Sequence, residues 1–363
     1  MTLIFTVILV ALVFEYINGF HDTANSIATV VSTKVLSPRQ AIVLAATTNL
    51  LGALWGTAVA KTVASGLVDA KIVTSEILVC ALLGAIVWNL VTWWVGLPSS
   101  SSHALVGGLC GSCLAAANNN WGVIIWSVPG KEHWWEGKGI LWKVLLPMVT
   151  SPVAGFTVGL LMMGLLYFLL RHWRPVTVNR FFGKAQLVSA AYMGFAHGTN
   201  DAQKTMGIIA LALVSATTAG TFDNIPAWLN FLHLPAPLAG KSLEIPGWIK
   251  IVCAITMAAG TAAGGWRIIK TLGHKMVKLH PVHGFAAEAT GASVLVAAAH
   301  FGMPVSTTHA ITTSIMGVGC AKGLNHLKLR VVERILWAWV LTIPASGGVA
   351  YGLVQLARAM GWL

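Results

Sequence analysis

Two acidic motifs and two hydroxyl-rich motifs recur about half a chain apart. Gly19-Phe20-His21-Asp22-Thr23-Ala24-Asn25 is echoed by Gly198-Thr199-Asn200-Asp201-Ala202-Gln203-Lys204. Gly96-Leu97-Pro98-Ser99-Ser100-Ser101-Ser102-His103-Ala104 is echoed by Gly302-Met303-Pro304-Val305-Ser306-Thr307-Thr308-His309-Ala310. The chain has only four Asp residues, and the other two, Asp69 and Asp223, fall in polar loops. A carboxylate at bilayer depth costs about 2.5–3.5 kcal/mol, so Asp22 and Asp201 each call for a bound cation or a proton. Asn25 follows Asp22 by three residues and shares its helical face. Gly19 and Gly198 precede each Asp by three residues, where they let the backbone break or approach closely and free carbonyls for an ion. The plainer alternative is that each Asp caps a helix N-terminus.

The second motif suits an anion. Pro is favoured in the first turn of a helix, and Ser100, Ser101, Ser102, Ser306, Thr307 and Thr308 would set hydroxyl donors beside unpaired N–H groups at the positive end of a helix dipole. Two such tips, one per half, could face one tetrahedral oxyanion. His103 and His309, five residues after each Pro, are candidates to orient the loop, carry a proton or cap backbone. Ser100 or Ser306 with His103 or His309 would also furnish a hydrolase, but wholesale duplication and the lack of a G-x-S-x-G elbow argue against one. Glu15, seven residues before Asp22, and Glu288, in the apolar run 285–299, are further candidate proton or ion ligands. Neither has a repeat partner, the position matching Glu288 being Leu82.

The surrounding composition demands a membrane. The 363 residues are 56% hydrophobic and 9% charged, with a mean hydropathy of +0.76, against about 25% charged in a typical soluble domain. Apolar runs of roughly spanning length, about 20 residues, occupy 3–20, 41–60, 77–97, 141–170, 187–213, 248–266, 286–301 and 335–356. Shorter ones cover 26–35, 104–117 and 310–321, so ten to twelve membrane segments are expected. The first run has no Lys or Arg before it and is expected to stay as a span, not a cleaved signal. Net charge is +12, concentrated at 171–184, 267–278 and 322–334. Each cluster abuts an apolar run, so the positive-inside bias accounts for them as cytoplasmic loops without nucleic acid as a partner. Trp93-Trp94 and Trp134-Trp135 fit interfacial belts, and the Cys110/Cys113 pair lacks the further ligands of a zinc site. No metal site or cofactor is expected.

Asp22 and Asp201 lie 179 residues apart and Pro98 and Pro304 lie 206 apart, so the second half carries about 27 extra residues. The Pro-rich stretch 221–247 matches that length and reads as an inserted loop with a short helix near 228–233. The organisation expected is a first transmembrane repeat over 1–170, a cytoplasmic linker over 171–184 and a second repeat over 185–363. Parity of crossings, which sequence leaves open, decides whether the repeats are parallel or inverted.

The phrases NGFHDTAN (18–25), WNLVTWWVGLPSSSSHA (88–104), AHGTNDAQK (196–204) and GMPVSTTHA (302–310) resemble, in the right order and across both halves, the PiT family of inorganic phosphate transporters, particularly its bacterial low-affinity branch. The resemblance implies an all-α polytopic fold in two inverted repeats with short re-entrant helices, a homodimer, and symport of phosphate with a cation across the plasma (inner) membrane. It implies coupling-ion and phosphate roles for Asp22, Asn25, Asn200 and Asp201, and phosphate binding by Ser100, Ser101, Ser102, Ser306, Thr307 and Thr308. Two positions depart from the family pattern. His21 stands where the family places Asn, and Lys204 stands at the position matching Asn25, a fixed cation for a neutral ligand.

Phosphate import into a negative cell is uphill by about 2.3 kcal/mol per charge per 100 mV, so a passive pore would leak phosphate outward. The expectation is a symporter that carries phosphate, alone or as a neutral metal–phosphate species, with protons, Lys204 replacing one sodium. The competing readings are a sodium-coupled phosphate symporter, a sulfate permease of the same fold, and an anion channel.

Overall fold

The computed structural model describes residues 1–362 except 70–71, 131–132, 134–135, 238–242, 322 and 324–326. The second Trp pair and Lys322 lie outside the described residues. Twelve α-helices form among the described residues, most joined by short turns, with longer connections between Ala116 and Leu146 and between Thr218 and Gly247. In chain order they are α1 (Thr2–Ser32), α2 (Pro38–Ala53), α3 (Ala58–Ser65), α4 (Ser75–Val95), α5 (Ser101–Ala116), α6 (Leu146–Leu170), α7 (Pro175–Thr218), α8 (Gly247–Ala263), α9 (Trp266–Lys270), α10 (Pro281–His300), α11 (Thr307–Cys320) and α12 (Leu329–Ala359).

Local chemistry sets many of these ends. Ser37 and Gln40 form a reciprocal capping box ahead of α2, with Pro38 at its first position. Thr74 caps α4, and Gly96, at φ +71°, closes it in the left-handed conformation. Five helices are long and apolar enough to cross a bilayer: α1, α4, α6 with its lead-in turn Leu141–Leu145, α10 and α12. The pairs α2/α3 and α8/α9 are bent by 67° and 58° and could each make one more crossing. Gly56 (φ +80°) and Gly264 (φ +74°) supply the backbone geometry at these two bends. α5 and α11, at 16 and 14 residues, are too short to cross.

Helix partners are matched between the halves. α5 packs on α12 as α11 packs on α6, α1 on α4 as α7 on α10, and α1 on α8 as α7 on α2. Each short helix therefore leans on the long helix of the other half. α1 and α7 run antiparallel, because Glu15 meets Thr205 while Thr33 meets Gln186.

Four sequence expectations are corrected. α1 and α7 run unbroken through both acidic motifs, and the segment read at 26–35 is largely the tail of α1. No residue in either motif removes a backbone donor, so no carbonyls are freed. Gly19 and Gly198 serve close approach instead: a Cβ there would strike the carbonyls of Met257 in α8 and Asn49 in α2. Asp22 and Asp201 are consequently mid-helix residues, not caps. Pro98 and Pro304 lie two residues before the capping Ser100 and Ser306, outside the first turns of α5 and α11. α7 begins at Pro175, so most of the stretch 171–184 is helical. Within the insertion, a short 3-10 helix forms at Ala227–Leu232.

Candidate functional site

The four motifs converge. α1 and α7 cross through the centre, and the N-terminal tips of α5 and α11 point into them from opposite halves. Each tip is built the same way: the cap hydroxyls of Ser100 and Ser306 accept from the N–H of His103 and His309, both at 3.1 Å. That bond leaves the next two hydroxyls of each tip free to face α1 and α7.

Ser101 Oγ donates to Asp22 Oδ2 at 2.6 Å, and Thr307 Oγ1 donates to Asp201 Oδ2 at 2.9 Å. Each tip thus binds the acid of its own half. Asn25 Nδ2 donates across the halves to Thr307 Oγ1 (3.2 Å) and Thr308 Oγ1 (2.9 Å). Lys204, at the matched position of α7, crosses the other way: its Nζ donates to Ser102 Oγ and to Val305 O (3.0 Å) while ion-paired with Asp201. Asn25 and Lys204 are therefore spatial as well as sequence equivalents, one neutral and one charged.

Two histidines flank the acids. His21 Nδ1 donates to Asp22 Oδ1 at 2.7 Å, and its Nε2 lies 3.1 Å from Thr92 Oγ1 of α4. His197 Nε2 lies 3.0 Å from Asp201 Oδ2, its ring held from behind by Asn49 Oδ1 at 3.2 Å. Ligand atoms of Asp22, His197 and Asp201 lie within 4.8 Å of one another, close enough to share one cation. All of these side chains are buried. A second set of acceptors has no partner among the described residues: Asn25 Oδ1 and Asn200 Oδ1, with Asn200 Nδ2 a donor likewise unpaired there. Buried polar atoms left unpaired are costly, so a polar guest is the natural partner.

The remaining candidates lie further out. His103 and His309 face each other edge to face, centroids 4.8 Å apart, and His309 stacks on Trp339 at 3.9 Å. Their rings back the tips and form no hydrogen bond to a tip hydroxyl among the described residues, which removes the Ser–His geometry a hydrolase needs. Glu288, on α10, accepts from Thr29 (2.5 Å), Ser189 (2.5 Å) and Gln186 (3.0 Å). It therefore sits one turn beyond Asn25 on the α1–α7 seam rather than in the centre. Two members went unassigned from sequence: His197, although its i, i+4 spacing to Asp201 was visible, and Thr92, whose helix gave no signal.

Comparison with known proteins places this arrangement. The model of the phosphate transporter family matches residues 18–350, spanning both pairs of motifs. The chain belongs to that family. It is 40% identical over 98% of its length, and of the relative's, to a probable low-affinity inorganic phosphate transporter of Bacillus subtilis (strain 168). It is 43% identical to a protein of the same description in Rhizobium meliloti (strain 1021), covering 93% of this chain and 92% of that one. A solved structure described as the sodium-dependent phosphate transporter superposes with a TM-score of 0.80 over 99% of this chain and 100% of that one. At 23% identity it shares the fold. This family member is a transporter, not an enzyme, and a multi-pass membrane protein, in a bacterial cell one of the plasma membrane.

Proposed function

We propose that this chain imports inorganic phosphate in symport with protons, by alternating access of one central site between two inverted repeats. The observation that carries the reading is Lys204: its ammonium joins the acid of one motif to a hydroxyl tip of the other, where Asn25 in the first half has only an amide. A fixed cation there does work that a bound sodium would otherwise do. Asp22 has no Lys or Arg partner among the described residues, only His21 and hydroxyls. The centre is thus one positive charge short before any anion enters. A co-transported proton supplies it.

The antiparallel course of α1 and α7 and the exchanged packing of α5 and α11 support inverted repeats, in which half-helix tips meet near the membrane midplane. Positive-inside bias orients them with residues 33–37, 171–174 and 274–280 toward the cytoplasm. Glu288, satisfied by three donors, lies on that cytoplasmic half of the seam and serves as a proton site there.

Phosphate is favoured over sulfate by the acceptors that α1 and α7 turn toward the tips. Protonated phosphate can donate a hydrogen bond to Asp22, Asp201, Asn25 Oδ1 or Asn200 Oδ1; sulfate has no proton to give. Labelled phosphate uptake into proteoliposomes, challenged with excess sulfate or unlabelled phosphate, tests this. Phosphate should compete at least tenfold better, and equal competition would favour a general tetrahedral-anion permease.

A further inference from the structure

Glu15 is a buried acid that the central site leaves unused. It stands on α1 two turns before Asp22 and is wholly buried. Thr205 of α7 donates to its Oε2. The Asn18 side chain, one turn along the same face, also lies against the carboxyl. Glu15 Oε1 and Asn18 Oδ1 have no hydrogen-bond partner among the described residues. A proton on Glu15 gives the carboxyl a donor of its own in place of a buried charge. An unpaired carboxylate in such surroundings costs several kcal/mol by order of magnitude, and among the described residues no cationic side chain forms an ion pair with it. Lys204, whose charge reaches it, is held by Asp201.

The other charged or titratable groups facing Glu15 are few. α7 presents Asp201 and Lys204, α8 presents Cys253, and α1 itself carries Asp22. The only acid on α4, Glu76, lies beside Thr6 near the start of α1. Glu15 is therefore a lone carboxyl joined electrostatically to the Asp201–Lys204 pair.

We propose that Glu15 carries the coupled proton on the half of the seam opposite Glu288. The inference rests on the proton-symport reading above and names a residue for it. The carboxylate takes a proton from the extracytoplasmic side; the same proton leaves to the cytoplasm after the anion does. An anion held by Lys204 and Ser102 adds negative charge to the cluster that Glu15 already senses, so it tightens the hold on the proton. By reciprocity, protonated Glu15 tightens anion binding by the same factor. Proton and phosphate then bind cooperatively, and departure of the anion loosens the hold on the proton.

Glu15→Gln imitates the protonated state, since its amide can donate to Asn18 and accept from Thr205. In proteoliposomes it should exchange labelled for unlabelled phosphate while losing pH-gradient-driven accumulation at least tenfold. Glu15→Asp, still an acid, should accumulate. Purified wild type in weak buffer should take up protons on adding inorganic phosphate, and Glu15→Gln should take up fewer. Accumulation by Glu15→Gln equal to wild type overturns the assignment. Loss of exchange in both variants overturns it too, by making Glu15 structural. If wild type itself ignores the pH gradient, the symport reading falls and this one with it, an outcome read separately on the wild-type vesicles.

Discussion

Lys204 and Asn25 occupy the same place in two halves of one site. Each reaches from its own central helix to the hydroxyl tip of the other half, Asn25 to Thr307 and Thr308, Lys204 to Ser102. Only Lys204 also neutralises the acid three residues before it. The symmetry of position combined with asymmetry of charge is the basis of the first prediction.

Lys204→Gln restores a neutral ligand and leaves Asp201 without its cation. Proton-driven uptake should fall at least tenfold, and sodium should stimulate what remains. Uptake rates measured with and without sodium check this; a variant that stays proton-driven would show that the ammonium is not a stand-in for an ion.

Asp22→Asn and Asp201→Asn should each abolish coupled uptake while leaving membrane insertion intact. Asp201→Asn should also cost stability, because it strands the buried Lys204; breaking a buried pair costs about 3–5 kcal/mol. A thermal-shift comparison of the two purified variants should therefore find Asp201→Asn the less stable. Equal shifts would contradict the ion pair between Lys204 and Asp201.

Ser101→Ala and Thr307→Ala each remove a tip hydroxyl that donates to a carboxylate and, in the proposed cycle, turns to the bound phosphate. Hydrogen bonds to charged groups contribute about 1.5–3 kcal/mol, so the KM for phosphate should rise roughly tenfold to a hundredfold by the same principle. Initial-rate uptake against phosphate concentration measures it.

Gly19→Leu should push α1 from α8, since even a Cβ meets the Met257 carbonyl. Overpacking of this kind costs about 1–3 kcal/mol, read as a lower unfolding midpoint of the purified protein. Gly164→Leu, at an open position, should leave it unchanged.

The duplicated phrases were enough to identify the two kinds of site residue, because membrane burial makes every acid and every hydroxyl run conspicuous. They could not place them. Spacing along one helix tells which residues share a face, but not which helix that face meets, so the crossing of Asn25 and Lys204 to opposite tips was invisible. Helix continuity through Gly19 and Gly198 was misread for a related reason: glycine permits both a break and a close contact, and only the neighbouring carbonyls of Met257 and Asn49 decide between them. His197 escaped because its partner Asp201 already had a role, and Thr92 because nothing in α4 marks it. Glu15 was noticed as a shared-face acid, yet its bond from Thr205 belongs to packing between α1 and α7.

The central claim is that protons drive phosphate through a site in which Lys204 stands in for sodium. Proteoliposomes carrying the purified chain, with labelled phosphate outside, can be given an inward proton gradient without sodium or an inward sodium gradient at equal pH. The account predicts accumulation with the proton gradient alone, abolished by a protonophore. Accumulation that follows sodium and ignores pH would contradict it.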